Sequence, residues 1–299
     1  MNYSDQEVTE VSDSTCLTSN PTVSVIVLTY NHAKYLSDSI DSIAIQHCSF
    51  GFEILILEDC STDDTRSVAI ECQKKYPESV RVLFGAKNIG TGANFQRSLN
   101  HSRGRYIALC EGDDQWQDSE KLQKQVDYLE AHKDVVVTYH DAMTINDKGE
   151  TISHTKLSSS IDERDFTGEQ LQMGMHLPTL TMCFRKVITS LPEEFYPVVN
   201  QDKFLISMLG AYGGAKFLGD IKPAIYRVHE GGVWSTLSCD EKSIRHITTF
   251  YWLSVYHKKQ SNEHIASIHA CTAIRYLLSQ LHIEKLALLK LVVKWLLNK

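Results

Sequence analysis

No CxxC pair occurs among the eight cysteines of this chain, Cys16, Cys48, Cys60, Cys72, Cys110, Cys183, Cys239 and Cys271. That absence argues against zinc-finger and thioredoxin-type chemistry. Met1 to Thr22 is polar and acidic and lacks the apolar centre of a secretory signal. The thiols are therefore expected to be reduced and mostly buried, in a cytoplasmic protein. Basic charge is also in short supply: 30 Lys and Arg stand against 37 Asp and Glu, a formal net charge of −7. General nucleic-acid binding needs a basic footprint, which this balance does not provide. No internal repeat and no series of membrane spans appear.

What is present suits a soluble globular chain: 299 residues, 42% hydrophobic and 22% charged. That length fits one large domain, or one domain with a smaller unit appended. The charge is unevenly placed. Residues 242–299 carry nine Lys or Arg and two Glu, a local +7, which leaves −14 on the rest. A basic, apolar tail on an acidic body points either to an anionic membrane surface or to packing on its own acidic domain. Residues 1–20, rich in Ser, Thr, Asp and Glu, are expected to be a disordered tail.

Periodicity predicts the order of elements. Val23 to Leu28, Phe52 to Leu57, Val80 to Phe84, Arg105 to Cys110 and Val135 to Tyr139 are apolar runs of the kind buried on both faces. Between them, Leu36, Ile40 and Ile43, then Val68, Cys72 and Tyr76, then Phe95 and Leu99, then Leu122, Val126 and Leu129 recur at helical spacing. Ser61 is expected to cap the second helix, with Asp64 in its first turn. This alternation specifies an α/β fold, an open, mostly parallel sheet flanked by helices. Beyond residue 140 the pattern loosens. Leu180 to Phe184 reads as a strand, Gln201 to Gly210 as a helix, Ala215 to Arg227 as strand material broken at Pro223, and the chain from about Ser243 as helical.

Right-handed crossovers bring the carboxyl ends of parallel strands to one edge, where ligands of such sheets bind. Thr29, Tyr30, Asn31, Glu58, Asp59, Asn88, Glu111, Asp113 and Asp114 follow strands and so belong to that edge. Five of the nine are carboxylates. Acidic groups gathered there repel one another unless a metal or a hydrogen-bonding ligand compensates.

The segments VSVIVLTYNHAKYL, EILILEDCSTDDT, NIGTGANFQRSL, GRYIALCEGDDQW, NQDKFLISMLGAYG and YRVHEGGVWS occur in the order typical of glycosyltransferase family 2. The resemblance covers roughly residues 21–236 and implies the GT-A fold. It also implies an inverting enzyme that moves a sugar from a nucleotide diphosphate donor to an acceptor hydroxyl, using Mg2+ or Mn2+. Glu111-Gly-Asp-Asp114 resembles the family's D-x-D motif with Glu in the first place. Asp113 is then the main metal ligand, and Glu111 acts through water or contacts donor sugar or ribose. Asp59 is carried over as the acceptor for a nucleobase ring N–H, which suits uracil or thymine. Thr29, Tyr30, Asn31 and Asn88 are candidates for the nucleotide pocket. Asp202, in Asn200-Gln-Asp202, corresponds to the general base, although Gln201 departs from the usual acidic pair, as Glu58 departs from the usual Asp. His229 is a candidate second metal ligand or a donor to the diphosphate, and Arg227 a phosphate partner.

The expected organisation is a tail over 1–20, a glycosyltransferase domain over 21–236 and a helical carboxyl-terminal extension over 237–299. The domain divides into a nucleotide-binding half, 21–140, and an acceptor-side half, 141–236. Within the extension, Ile283 to Leu297 is short for a membrane span but resembles an interfacial helix with Lys290 and Lys294 in a polar stripe. The implied acceptor is a glycan or lipid-linked glycan in cell-surface polysaccharide synthesis, with the protein peripheral on the inner face of the membrane. Two other readings stay open: a catalytically inactive nucleotide-sugar-binding module, and a nucleotidyltransferase. Against the second, LTYNHAKYL lacks the Gly-rich basic loop expected after its first strand.

Overall fold

The computed structural model describes residues 8–157, 164–232 and 237–280. Its strands are β1 (Thr9–Val11), β2 (Val23–Thr29), β3 (Phe52–Glu58), β4 (Val80–Phe84), β5 (Tyr106–Leu109), β6 (Val135–Tyr139), β7 (Ala142–Asn146), β8 (Thr151–Ser153), β9 (Cys183–Arg185), β10 (Gly214–Phe217) and β11 (Ala224–Val228). Its helices are α1 (Leu36–Ala44), α2 (Thr65–Lys75), α3 (Thr91–His101), α4 (Lys121–Ala131), α5 (Gly168–Gln172), α6 (Gln201–Leu209), α7 (Cys239–Lys259) and α8 (Glu263–Ser279). The main sheet runs β1-β4-β3-β2-β5-β9-β6-β10, with β1 and β9 antiparallel to neighbours and the other pairings parallel. A smaller sheet, β11-β7-β8, stands beside it.

Two apolar layers form because successive strand residues face opposite ways. Ile26, Leu55, Leu57 and Leu83 face α3, α6 and α7 through Phe95, Leu99, Phe204 and Phe250. Val25, Val27, Ile54, Ile56 and Val82 face α1, α2 and α4 through Leu36, Ile40, Cys72, Leu122 and Val126. Strand β9 inserts between β5 and β6, so the stretches before and after residue 140 share one sheet.

Several expectations need correction. Residues 8–20 are ordered rather than a disordered tail: β1 pairs with β4, and Glu10 forms a two-point ion pair with the buried Arg81. Arg81 also pairs with the fully buried Glu53, so the tail supplies charge that the sheet would otherwise leave unbalanced. Ser61 caps no helix. Its hydroxyl accepts from Asn31 N–H, while Asp63 takes the N–H and hydroxyl of Thr65 at the start of α2. The strand expected from Leu180 begins only at Cys183, because Thr179–Thr181 forms a 3-10 turn in which the Thr181 hydroxyl donates to Pro178 O. Of the eight cysteines only Cys72, Cys110 and Cys183 are buried, and Cys16, Cys239 and Cys271 are exposed.

The helical extension is a pair, α7 and α8, broken at Gln260 to Asn262, where Ser261 takes a positive φ of 58° and Asn262 caps α8. A capping box of Ser238 and Glu241 starts α7. Among the described residues no helix is long and apolar enough to cross a membrane. The interfacial helix expected over Ile283 to Leu297 lies outside the described residues.

Candidate active site

The carboxyl ends of β2, β3, β4 and β5 open onto a crevice of about 790 Å³, closed on its other sides by α6, β11 and α7. Thr29, Tyr30, Asp59, Asn88, Glu111, Asp113 and Asp202 all line it, so the sequence candidates from separate segments meet in one place. Asn31 does not line it. It sits in a left-handed turn with φ 57°, and its side-chain oxygen accepts from Thr62 N–H at 2.8 Å, tying the loop after β2 to the loop after β3.

Asp59 is buried, and its two oxygens accept from Ile89 N–H and Gly90 N–H, each at 2.9 Å. It therefore holds the turn after β4 as well as facing the crevice. Burial pushes its carboxyl up, against the pull of those two N–H groups. Asn88 adds a side-chain acceptor to Gly90 N–H. Glu58 faces away from this role: its oxygens take Ser61 N–H and the Arg66 guanidinium.

The turn after β5 carries the acidic cluster. Gly112 is required there, since a Cβ would come within 2.7 Å of Thr29 Oγ1 and 2.9 Å of His32 Nδ1. Burial raises the Glu111 carboxyl to about 7, with Asp113 adding to the effect. Asp114 is raised well above the ordinary range by burial and by its neighbours Asp113 and Glu111, and its Oδ1 accepts from Arg227 N–H at 3.0 Å. Burial also works against ionisation of Asp113, but the hydrogen bond from His229 and the electrostatic influence of the His32 and His229 rings outweigh it and hold that carboxyl below its usual value. The turn thus holds more carboxylate than it can ionise on its own, a condition that a divalent cation relieves.

His229 follows β11 and reaches Asp113 Oδ2 with Nε2 at 2.9 Å. Its Nδ1 accepts from Gly231 N–H, which assigns the ring proton to Nε2. His32, which sequence reasoning passed over, lies with Nε2 3.8 Å from the same Asp113 oxygen. His32, Asp113 and His229 each offer a ligand atom, all within 4.8 Å of one another. Arg227 lies over the Tyr35 ring and donates through Nε to Asp113 O.

Asp202 lies in the first turn of α6, but Asn200 is the residue at the cap position and no side chain caps this helix. Asp202 lines the crevice. Two further lining cations had no sequence signal. Lys156, in the irregular stretch after β8, sits over the Tyr226 ring, and burial lowers its pKa against the attraction of Asp114, Glu111, Asp202 and Asp113. Lys203 donates to Gly174 O at 2.7 Å. The buried Gln201 Oε1 has no hydrogen-bond partner.

An open, mostly parallel sheet with carboxylates gathered at its carboxyl edge is the architecture of the GT-A fold. Residues 24–191 match the sequence model of Glycosyl transferase family 2, and the chain belongs to that family. An uncharacterised protein of Mycobacterium tuberculosis (strain ATCC 25618 / H37Rv) is 31% identical over 222 residues, 74% of this chain and 62% of that one. The chain thus spans about three fifths of the length of that curated relative. Staphylococcus aureus TarS 1-349, solved in complex with UDP-GlcNAc, aligns with a TM-score of 0.61 at 18% identity, over 88% of this chain and 77% of that one. The mannosyltransferase PcManGT of Pyrobaculum calidifontis, solved with GDP-Man and Mn2+, aligns with a TM-score of 0.57 at 17% identity, over 94% and 81%. At those identities the likeness establishes the GT-A fold.

Proposed function

We propose that this chain is an inverting, metal-dependent glycosyltransferase. It moves a sugar from a nucleotide diphosphate donor, UDP- or dTDP-linked, to an acceptor hydroxyl. The observation that carries this reading is the meeting of two kinds of carboxylate in one crevice. Asp113 is paired with imidazoles, and Asp202 approaches from a different element without serving as a helix cap. The acidic turn with its raised Glu111 and Asp114 fits a divalent ion of the Mg2+ or Mn2+ kind, held by Asp113 and His229. Such an ion, when bound, neutralises charge gathering on the leaving diphosphate.

Asp59 and Asn88 shape the nucleotide end, with Thr29 and Tyr30 beside them. The Asp59 oxygens keep lone pairs beyond those used by the loop, so one carboxylate can order the turn and accept from the base. Glu111 faces donor sugar or ribose. Asp202 takes the proton of the acceptor hydroxyl as that oxygen attacks the anomeric carbon. Attack opposite the departing phosphate inverts the configuration and needs no covalent enzyme intermediate. The family resemblance and the +7 balance over 242–299 support a lipid-linked glycan acceptor at the inner face of a membrane.

A thermal-shift screen of UDP-, dTDP- and GDP-sugars with and without Mn2+ tests the reading. A cognate donor at 100 times its Kd stabilises by about 2.7 kcal/mol. The expected result is a melting shift with a uridine or thymidine donor that depends on Mn2+, followed by slow donor hydrolysis. No shift and no hydrolysis with any nucleotide sugar would overturn it.

A further inference from the structure

We infer that His32 is a third metal ligand, completing with Asp113 and His229 a site of two imidazoles and one carboxylate that prefers a first-row transition ion to Mg2+. The inference rests on the reading of Asp113 and His229 as metal ligands and adds to it a residue and a selectivity.

The three ligand atoms come from three separate segments. His32 lies in the loop after β2, Asp113 in the turn after β5, and His229 just beyond β11. Asp113 Oδ2 is the common point, 2.9 Å from His229 Nε2 and 3.8 Å from His32 Nε2. Ligand atoms about 2.0–2.2 Å from a metal stand roughly 3–4 Å from one another, so the trio needs only small shifts to share an ion. The two imidazoles meet edge to face, with centroids 6.0 Å apart, so neither ring covers the other's nitrogen.

The surroundings indicate a ligand as well. Thr29 Oγ1, His32 Nδ1 and Glu111 Oε2 are buried and have no hydrogen-bond partner. Thr29 Oγ1 and His32 Nδ1 both abut the place where a Cβ on Gly112 would stand. Buried polar atoms are rarely left unpaired, and three around one turn mark a position that something polar fills. An ion on His32 Nε2 fixes the ring proton on Nδ1, which turns that unpaired atom into a donor. At His229 the proton now on Nε2 must pass to Nδ1 for ligation, which breaks the Gly231 N–H contact. Ion uptake is therefore coupled to the turn after β11.

Ligand chemistry sets the preference. Mg2+ favours oxygen ligands and keeps its waters, whereas imidazole nitrogen suits the later divalent ions, with affinity rising from Mn2+ through Fe2+ to Co2+. Two nitrogens against one oxygen tip this site away from Mg2+.

The test uses Co2+ as a probe on the full chain without nucleotide, read by visible absorption and calorimetry. The parent should take up one Co2+ that a 100-fold excess of Mg2+ does not displace. His32→Ala should weaken Co2+ binding at least 10-fold and change the spectrum. His32→Gln, which offers a hard oxygen in place of nitrogen, should narrow the preference for Co2+ over Mg2+. Melting curves of both variants without metal establish that they fold. Co2+ affinity and spectrum unchanged in both folded variants would overturn the assignment of His32. If Asp113→Ala loses Co2+ in the same experiment, the Asp113–His229 reading survives that failure. A parent that binds Mg2+ as tightly as Co2+ would overturn the selectivity.

Discussion

Acid should loosen the helical extension from α5 and α6 through two buried histidines. His257 on α7 and His269 on α8 are 3% and 0% exposed and stack with centroids 5.4 Å apart. Ser207 donates its hydroxyl to Gln172 O, so His257 Nε2 must donate to Ser207 Oγ, and His269 Nε2 donates to Gln172 O. Both rings are thus neutral with the proton on Nε2, and a second proton on His269 would go to an Nδ1 with no partner. Burial pushes both from 6.5 to about 4, with His269 adding to the effect on His257 and Lys203 to that on His269. A histidine whose folded pKa is depressed binds more protons when unfolded. The stability it contributes is fully present above about 6.5 and is lost as pH falls towards about 4. For a shift of that size each ring loses about 2 kcal/mol by pH 5, and about 3 kcal/mol once pH is well below 4. Between pH 7.5 and 5 the two rings lower the melting temperature while the raised Glu111 and Asp114, which take up protons in the folded state, oppose them, so the histidine part is read against a variant that lacks both rings. A His257→Gln/His269→Gln variant should be less stable at pH 7.5 yet lose less stability than the parent as pH falls. A double variant with the parent's slope would refute the reasoning.

Three further outcomes concern the crevice. Asp202→Asn should lower kcat by roughly 10²–10⁴-fold, the usual scale for general acid–base catalysis, with donor affinity nearly unchanged; kcat within a few-fold of the parent would remove Asp202 from the mechanism. Asp113→Ala should abolish transfer and Mn2+-dependent donor binding while circular dichroism stays native, and near-normal turnover at saturating donor would end its assignment as a ligand. Asp59→Ala should weaken uridine or thymidine diphosphate binding by about 1.5–3 kcal/mol in calorimetry, the value of a hydrogen bond to a charged group. It should also lower the melting temperature, because Ile89 N–H loses its acceptor and Gly90 N–H keeps only Asn88.

The strands legible in the sequence are those buried on both faces, because burial of that kind writes an unbroken apolar run such as VSVIVL or EILIL. The same feature made the site edge legible, since a residue that ends such a run is placed by it. Asp59, Glu111 and Asp113 are of this kind. Edge elements were not legible. Strand β1 is three residues long with two exposed, and it is held as much by Glu10 and Arg81 as by apolar burial. Its composition therefore resembles a tail. Lys156 lay in a polar stretch without period, and its place in the crevice depends on the pairing of β7 with β8 and β11. His32 did have a signal, in standing within TYNH directly after the first long strand. A single histidine in a loop is too common for that position alone to assign it a role.

The departures from the family pattern look different once their contacts are known. Glu58 stands where an Asp is usual, and the longer side chain is in use: one oxygen holds Ser61 N–H and the other the Arg66 guanidinium. A shorter carboxylate would reach both less well, so this substitution belongs to how the loop after β3 is built. Gln201 replaces an acid beside Asp202, but it packs where a Cβ on Gly92 would come within 2.6 Å of its Nε2. A second carboxylate there would add charge to a wall that already faces Asp202, Asp113 and Glu111. An amide keeps the shape, and its unpartnered Oε1 still offers an acceptor to the crevice. Glu111 keeps the charge of the residue it replaces and is buried by one extra methylene. None of the three removes Asp113 or Asp202, the carboxylates on which the proposed chemistry rests. The inactive-module reading therefore draws no support from these positions, and donor hydrolysis by the parent with added Mn2+ decides between the two.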